Sequence, residues 1–179
     1  MFVLGVDPGL TRCGYGVVSG TEGHEQAVAA GVVTTAASDP IPLRLAMLRK
    51  ELQAIIVDYR PDVVVVERVL FQTNARTAMS VGQASGVALL CAAEADLEVV
   101  EYSSNEVKLA VAGYGAATKR QVQEMVASLL SLREIPKPPD AADALALALC
   151  HHAHARVATA LKRIVQPPTG AIRQSGLAS

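Results

Sequence analysis

Apolar residues in this chain fall into short continuous runs near the start and into helically spaced stripes further on. Phe2–Val6 is brief, apolar and closed by turn residues, which predicts a buried strand. Gly14–Val18 and Ala27–Thr34 follow after short links, the second across a Gly20-Thr21-Glu22-Gly23 hairpin loop. Three strands so closely linked imply an antiparallel meander. Leu43, Met47, Leu48, Leu52, Ile55 and Ile56 then recur at helical spacing, with Pro40 and Pro42 at the start and Arg60-Pro61 at the end. Val63-Val64-Val65-Val66 predicts a strand covered on both faces, as in a parallel sheet beneath helices.

Beyond it the pattern predicts a helix over 74–95 and a short fifth strand around Val99-Val100. Ser103-x-x-Glu106 and Thr118-x-x-Gln121 are capping-box patterns, and Gly113-Tyr114-Gly115 separates the two helices they open. The second carries Val122, Met125, Val126, Leu129 and Leu130 as its expected buried stripe. Pro136, Pro138 and Pro139 lead stiffly into a last helix from Asp140 to about Arg163. The expected fold is α/β, with a five-stranded mixed sheet of three antiparallel and two parallel strands flanked by helices. A single domain is expected over 1–165, and residues 166–179, with Pro, Gly and Ser and no apolar period, as a loose tail.

Composition agrees with a packed core, at 51% hydrophobic, but aromatics are only 3%, so Val, Leu, Ile and Ala must fill it. Three well-spaced cysteines, Cys13, Cys91 and Cys150, suggest reduced thiols in a cytoplasmic protein, and no signal peptide is read at the amino terminus. The apolar stretch from Val81 to Ala93 is too short and too polar to span a bilayer.

Charge changes the picture when it is located. The net charge is only −1, but no acidic residue follows Asp143, whereas Arg156, Lys162, Arg163 and Arg173 do. Two buried strands each end in a carboxylate, Asp7 and Glu67, and neither acid is needed to make its turn. If those strands are parallel neighbours, the two acids lie side by side at the sheet edge where open α/β sheets place ligands. Asp140 and Asp143, three apart, project from one face of the last helix. Set these four aside and 16 basic residues face 13 acidic ones. Each acid has an ordinary explanation too: a turn residue, a solvated strand end, two acids favoured by a helix N-terminus. Four together repel strongly unless cations lie between them. Oxygen donors without His or Cys suit Mg²⁺ or Mn²⁺ rather than Zn²⁺, and two such ions roughly 3.5–4 Å apart can cut a phosphodiester. His151 lies eight residues past Asp143, ~12 Å along the helix, too far to share a metal. With His152 and His154 it is expected to be partly exposed.

Val6-Asp7-Pro8-Gly9, Val66-Glu67, Asn74-Ala75, Gly82-Gln83-Ala84-x-Gly86 and Asp140-Ala141-Ala142-Asp143-Ala144-Leu145-Ala146 together resemble the RuvC-type Holliday junction resolvases, over about residues 2 to 155. The resemblance implies a ribonuclease-H-like fold, a homodimer, and paired symmetric nicking of four-way DNA junctions in recombination and repair. It implies two Mg²⁺ per active site, replaceable by Mn²⁺, on Asp7, Glu67, Asp140 and Asp143. Lys108 and Lys119 stand where the family has basic residues near the scissile phosphates. Phe71 resembles the aromatic that wedges against junction bases, although the family often carries it one position earlier, at Leu70 here. Arg76 and Arg120 are then candidate phosphate contacts. A branch-migration complex of the RuvA and RuvB type is the implied protein partner. The small-residue helix face from Val81 to Leu90 is either a dimer seam or internal packing on the sheet. Three alternatives stay open: an ATPase sharing the Gly-x-Asp-x-Gly strand turn, a junction-binding module that does not cut, and a metal nuclease acting on another nucleic acid, such as an RNA–DNA hybrid.

Overall fold

A computed structural model describes residues 1–21, 23–68 and 75–165, with side chains omitted for 75–77 and 162–165. Phe2–Asp7 (β1), Arg12–Ser19 (β2) and Gln26–Thr34 (β3) form the antiparallel meander. Val63–Glu67 (β4) and Glu98–Tyr102 (β5) then add in parallel beyond β1, giving the order β3-β2-β1-β4-β5. All four valines of β4 are at most 3% exposed, as their unbroken apolar run requires.

The sheet divides the core in two. On one face Leu4, Val6, Val17, Val64 and Val66 pack against Ile41–Tyr59 (α1) and Ala75–Glu94 (α2). On the other, Val3, Val18, Val63 and Val65 meet Ser104–Ala112 (α3), Lys119–Leu129 (α4) and Pro139–Val165 (α5). Both expected capping boxes are present: Ser103 with Glu106 starts α3, and Thr118 with Gln121 starts α4. They matter for the site because they fix where the helices that carry Lys108 and Lys119 begin, Lys119 as the first residue of α4 and Lys108 within α3.

Two expected stripes need correction. In α1, Leu43 and Met47 are 63% and 48% exposed, and Arg44 is buried beside Leu48, Leu52, Ile55 and Ile56. A buried guanidinium must be satisfied. Arg44 Nε donates to Thr35 Oγ1 at 2.9 Å and Nη2 to Thr11 Oγ1 at 2.7 Å. Thr35 Oγ1 donates in turn to the Leu10 carbonyl, so α1 braces the turn that follows Asp7. In α4, Val122, Val126 and Leu130 are buried, but Met125 and Leu129 are half exposed. This helix packs on α3 and α5 rather than on the sheet, so a narrower strip is covered.

The small residues of α2 do not all face the core. Ala84, Ser85 and Ala88 are buried against the core, while Gly82, Gly86 and Leu90 are exposed.

Glycines let α5 lie directly on the sheet. A Cβ at Gly5 would collide with the Ala144 carbonyl, and one at Gly14 with the carbonyl of Asp140. Both obstacles are helix backbone, which cannot rotate aside as a side chain would. Gly14→Ala should therefore lower stability by about 1–3 kcal/mol and displace the first turn of α5. Thermal or denaturant unfolding checks this, and an unchanged midpoint would contradict the packing described.

Candidate active site

The sheet register brings two acids together. Val6 of β1 pairs with Val66 of β4, and Asp7 and Glu67 are the next residue of each strand. Side chains alternate along a strand, so Asp7 shares the face of Gly5, the face on which α5 lies. Asp7 is also opposite Gly14 of β2, and Gly14 is the position on which the backbone of Asp140 rests. This backbone contact sets the first turn of α5 beside Asp7. Asp143, one turn on, joins Asp7 and Glu67 in a cleft of about 310 Å³ that Lys108 and Lys119 also line.

Burial dominates the electrostatics. It pushes the Asp7 carboxyl up to about 7, helped by Glu67 and Asp143 and partly offset by Lys119. Burial also raises Glu67, which Asp143 pushes further, and raises Asp143, which Lys119 draws back. The Lys119 ammonium lies 2.6 Å from Asp143 Oδ2, and this contact holds its own pKa above the usual lysine value despite partial burial. Asp140 goes the other way. Its modest burial would raise it, but the hydrogen bonds of Arg12 bring it below the usual carboxylate range. Arg12 Nε and Nη2 both donate to Asp140 Oδ2, at 3.0 and 2.7 Å.

Whether the residues fit a divalent cation can be tested on this arrangement. Three crowded acids, all raised above their usual values, lack the positive charge that would ionise them together. All donors are hard carboxylate oxygens, the set that suits Mg²⁺ or Mn²⁺. The donor chemistry fits. As the side chains stand, Asp143 is turned to Lys119 and Asp140 to Arg12. Among the described residues no three His, Cys, Asp or Glu side chains already converge as a ligand set.

Other expected residues divide. Lys108 and Lys119 line the cleft. Arg120 does not; its Nε pairs with Glu124 Oε1 at 2.8 Å along α4, an exposed pair worth little. Leu70, Phe71 and the side chain of Arg76 lie outside the described residues. The histidines pack away from the acids. His151 Nδ1 is 3.2 Å from the Tyr102 hydroxyl, and His154 stacks on the Tyr102 ring. His152, expected to be partly exposed, is 4% exposed, with Nε2 3.3 Å from the Val18 carbonyl oxygen. The three cysteines are free and buried. Arg12 is the residue that sequence reasoning missed. Its only signal is an arginine five positions after Asp7, at the start of the next strand.

A five-stranded mixed sheet flanked by helices, with acids at the ends of two neighbouring parallel strands and on a facing helix, defines the ribonuclease-H-like class. Comparison with known proteins narrows this. The family model described as crossover junction endodeoxyribonuclease RuvC matches residues 3–151. Proteins of that name from Salinispora arenicola and Syntrophomonas wolfei are 54% and 47% identical, each across 84% of this chain and 87% and 88% of their own lengths. Thermus thermophilus RuvC, solved in complex with a Holliday junction substrate, superposes with TM-score 0.85 at 38% identity, covering 89% of this chain and 97% of its own. The yeast mitochondrial resolvase Ydc2, 15% identical with TM-score 0.66, shares the fold. The chain belongs to the RuvC family of crossover junction endodeoxyribonucleases.

Proposed function

We propose that this chain resolves four-way DNA junctions by paired symmetric nicks, with Asp7, Glu67, Asp140 and Asp143 holding two Mg²⁺ ions, which Mn²⁺ can replace. The observation that carries this reading is the assembly of Asp7, Glu67 and Asp143, from three distant segments, in one cleft walled by two lysines. The chemistry that a pair of hard divalent cations supplies there is activation of a water and stabilisation of the departing oxygen. The residues of the chain do the rest. The carboxylates orient, and their strand-end and helix-start backbones keep them in place. Lys119 pairs with Asp143, and with a divalent cation bound to that carboxylate its ammonium would be free for a DNA phosphate. Lys108, in the same cleft, is a second phosphate contact.

Symmetric cutting needs two active sites related by a two-fold axis, so the working unit is a homodimer. Met79, Gly82, Gly86 and Leu90 support α2 as the seam: they recur on one helix face and all are exposed. Residues 1–165 constitute the nuclease unit. On the same reading Phe71 is the junction wedge and Arg76 and Arg120 are outer phosphate contacts. Family membership supports a cytoplasmic site of action and a partner complex of the RuvA and RuvB type.

A synthetic four-way junction, a linear duplex and an RNA–DNA hybrid, incubated in parallel with and without Mg²⁺, test the proposal. Paired nicks confined to the junction, and only with Mg²⁺, are expected. Equal cutting of the hybrid would instead favour a nuclease of different substrate. Lys108→Ala and Lys119→Ala should each slow cleavage and reduce the slope of log affinity against log salt by about one. Unchanged rates and slopes would remove both lysines from the phosphate path.

A further inference from the structure

We infer that Arg12 is a positioning residue that fixes the direction of the Asp140 carboxylate by gripping one of its oxygens, so that the carboxylate can serve a metal ion. This deepens the proposed function and rests on its reading of Asp140 as a ligand.

The geometry has two parts. Gly14 fixes the backbone of Asp140 against β2, because only a hydrogen lies between them. Arg12 lies two residues earlier, on the same face of the same strand. Its side chain reaches the same helix turn and places both Nε and Nη2 on a single oxygen, Oδ2. A guanidinium bound side-on to a carboxylate would engage both oxygens. Here Arg12 engages Oδ2 alone, and the carboxylate also accepts from the backbone N–H of Asp140 itself.

The other basic contact differs in kind. Lys119 is a single point charge on Asp143, at the end of a flexible stem, and can be exchanged for a cation. Arg12 offers a planar fork with two donors, which fixes direction as well as charge. The two contacts thus divide the work. One neutralises an acid of the cleft and gives way; the other stays and keeps Asp140 aimed. Asp140 stands outside the lining of the cleft, so the direction of its carboxylate decides whether it reaches the other acids.

The test uses the full-length Arg12→Ala and Arg12→Lys variants. The Arg12 side chain is 46% exposed, so both should fold, and thermal unfolding in EDTA checks that. Three quantities are measured: Mn²⁺ affinity of the protein by electron paramagnetic resonance, the metal concentration that half-saturates single-turnover cleavage, and junction affinity in EDTA. Both variants should weaken metal affinity about 10- to 100-fold, the loss expected when a residue orienting a ligand is removed. The rate at saturating metal and the junction affinity should stay near those of the parent. Lysine should fail to rescue, because charge without the fork does not aim the carboxylate. Arg12→Ala combined with Asp140→Asn should bind metal no more weakly than Asp140→Asn alone. Weaker junction binding in EDTA with unchanged metal affinity would make Arg12 a DNA contact and overturn the inference. Tighter metal binding by Arg12→Ala would make it a competitor and overturn it equally. Asp140→Asn with undiminished metal affinity would instead sink the ligand assignment itself, whatever the Arg12 variants do.

Discussion

Asp7→Asn is expected to slow junction cleavage by at least about 10³-fold, equivalent to about 4 kcal/mol of transition-state stabilisation. Metal-free junction binding should stay close to that of the parent. Asn has nearly the shape of Asp, so the strand end and its packing on α5 survive. What disappears is a charge at the centre of the cleft, where Glu67, Asp143 and Asp140 all act on Asp7. An amide oxygen can still touch a cation but cannot neutralise it. Single-turnover cleavage and a binding titration in EDTA check both halves. Persisting cleavage in Mg²⁺ would remove Asp7 from the chemistry.

The second large effect is on stability, and its sign is opposite to that of most acids in folded proteins. Burial, then Glu67 and Asp143, lift Asp7 from 3.8 to about 7 in the metal-free protein. The folded state therefore holds a proton that the unfolded chain gives up between those values. Stability falls as pH rises from about 4 to about 7, because the native state binds more protons throughout that window. Glu67 and Asp143, also raised mainly by burial, act in the same direction. Asp140 is lowered, so its contribution is lost only in acid below the usual carboxylate range. In EDTA the melting temperature should drop between pH 5.5 and 8, by about 2–4 °C for each kcal/mol. Saturating Mg²⁺ should reverse the drop, since a cation supplies the charge the acids lack. Asp7→Asn should be the more stable protein in EDTA at pH 8 and should gain less from Mg²⁺. Scanning calorimetry of both proteins reads all three effects. A parent protein whose metal-free stability rises from pH 5.5 to 8 would contradict the crowded-acid account.

These two expectations depend on parts of the molecule that were legible to different degrees. The short apolar runs ending in Asp7 and Glu67 announced both strands, and four successive valines announced that β4 is covered on both sides. Capping boxes work through residues three apart, so local sequence located the starts of α3 and α4. Long-range pairing left no such trace. Arg12 and Asp140 are 128 positions apart, and nothing near either one signals the other. Arg44 reads as a surface residue by charge, and it is buried only because two threonine hydroxyls from the turn after β1 and from beside β3 receive it. Met125 and Leu129 read as core by period, yet α4 rests on other helices and needs a narrower apolar strip. His152 found a backbone carbonyl of β2, a partner that composition cannot forecast. Pattern reveals elements; satisfaction of buried polar groups depends on which elements meet.

Strand register and glycine-backed helix packing bring these acids together, and the proposed function makes them a divalent-cation centre. Crystals of the protein with a four-way junction and Mn²⁺, measured at a wavelength where manganese scatters anomalously, test it most directly. Anomalous peaks are expected in the cleft within coordination distance of Asp7, Glu67, Asp140 and Asp143, with Lys119 withdrawn from Asp143. A cleft without a peak at saturating Mn²⁺, or a peak that leaves Asp7 uncoordinated, would contradict it.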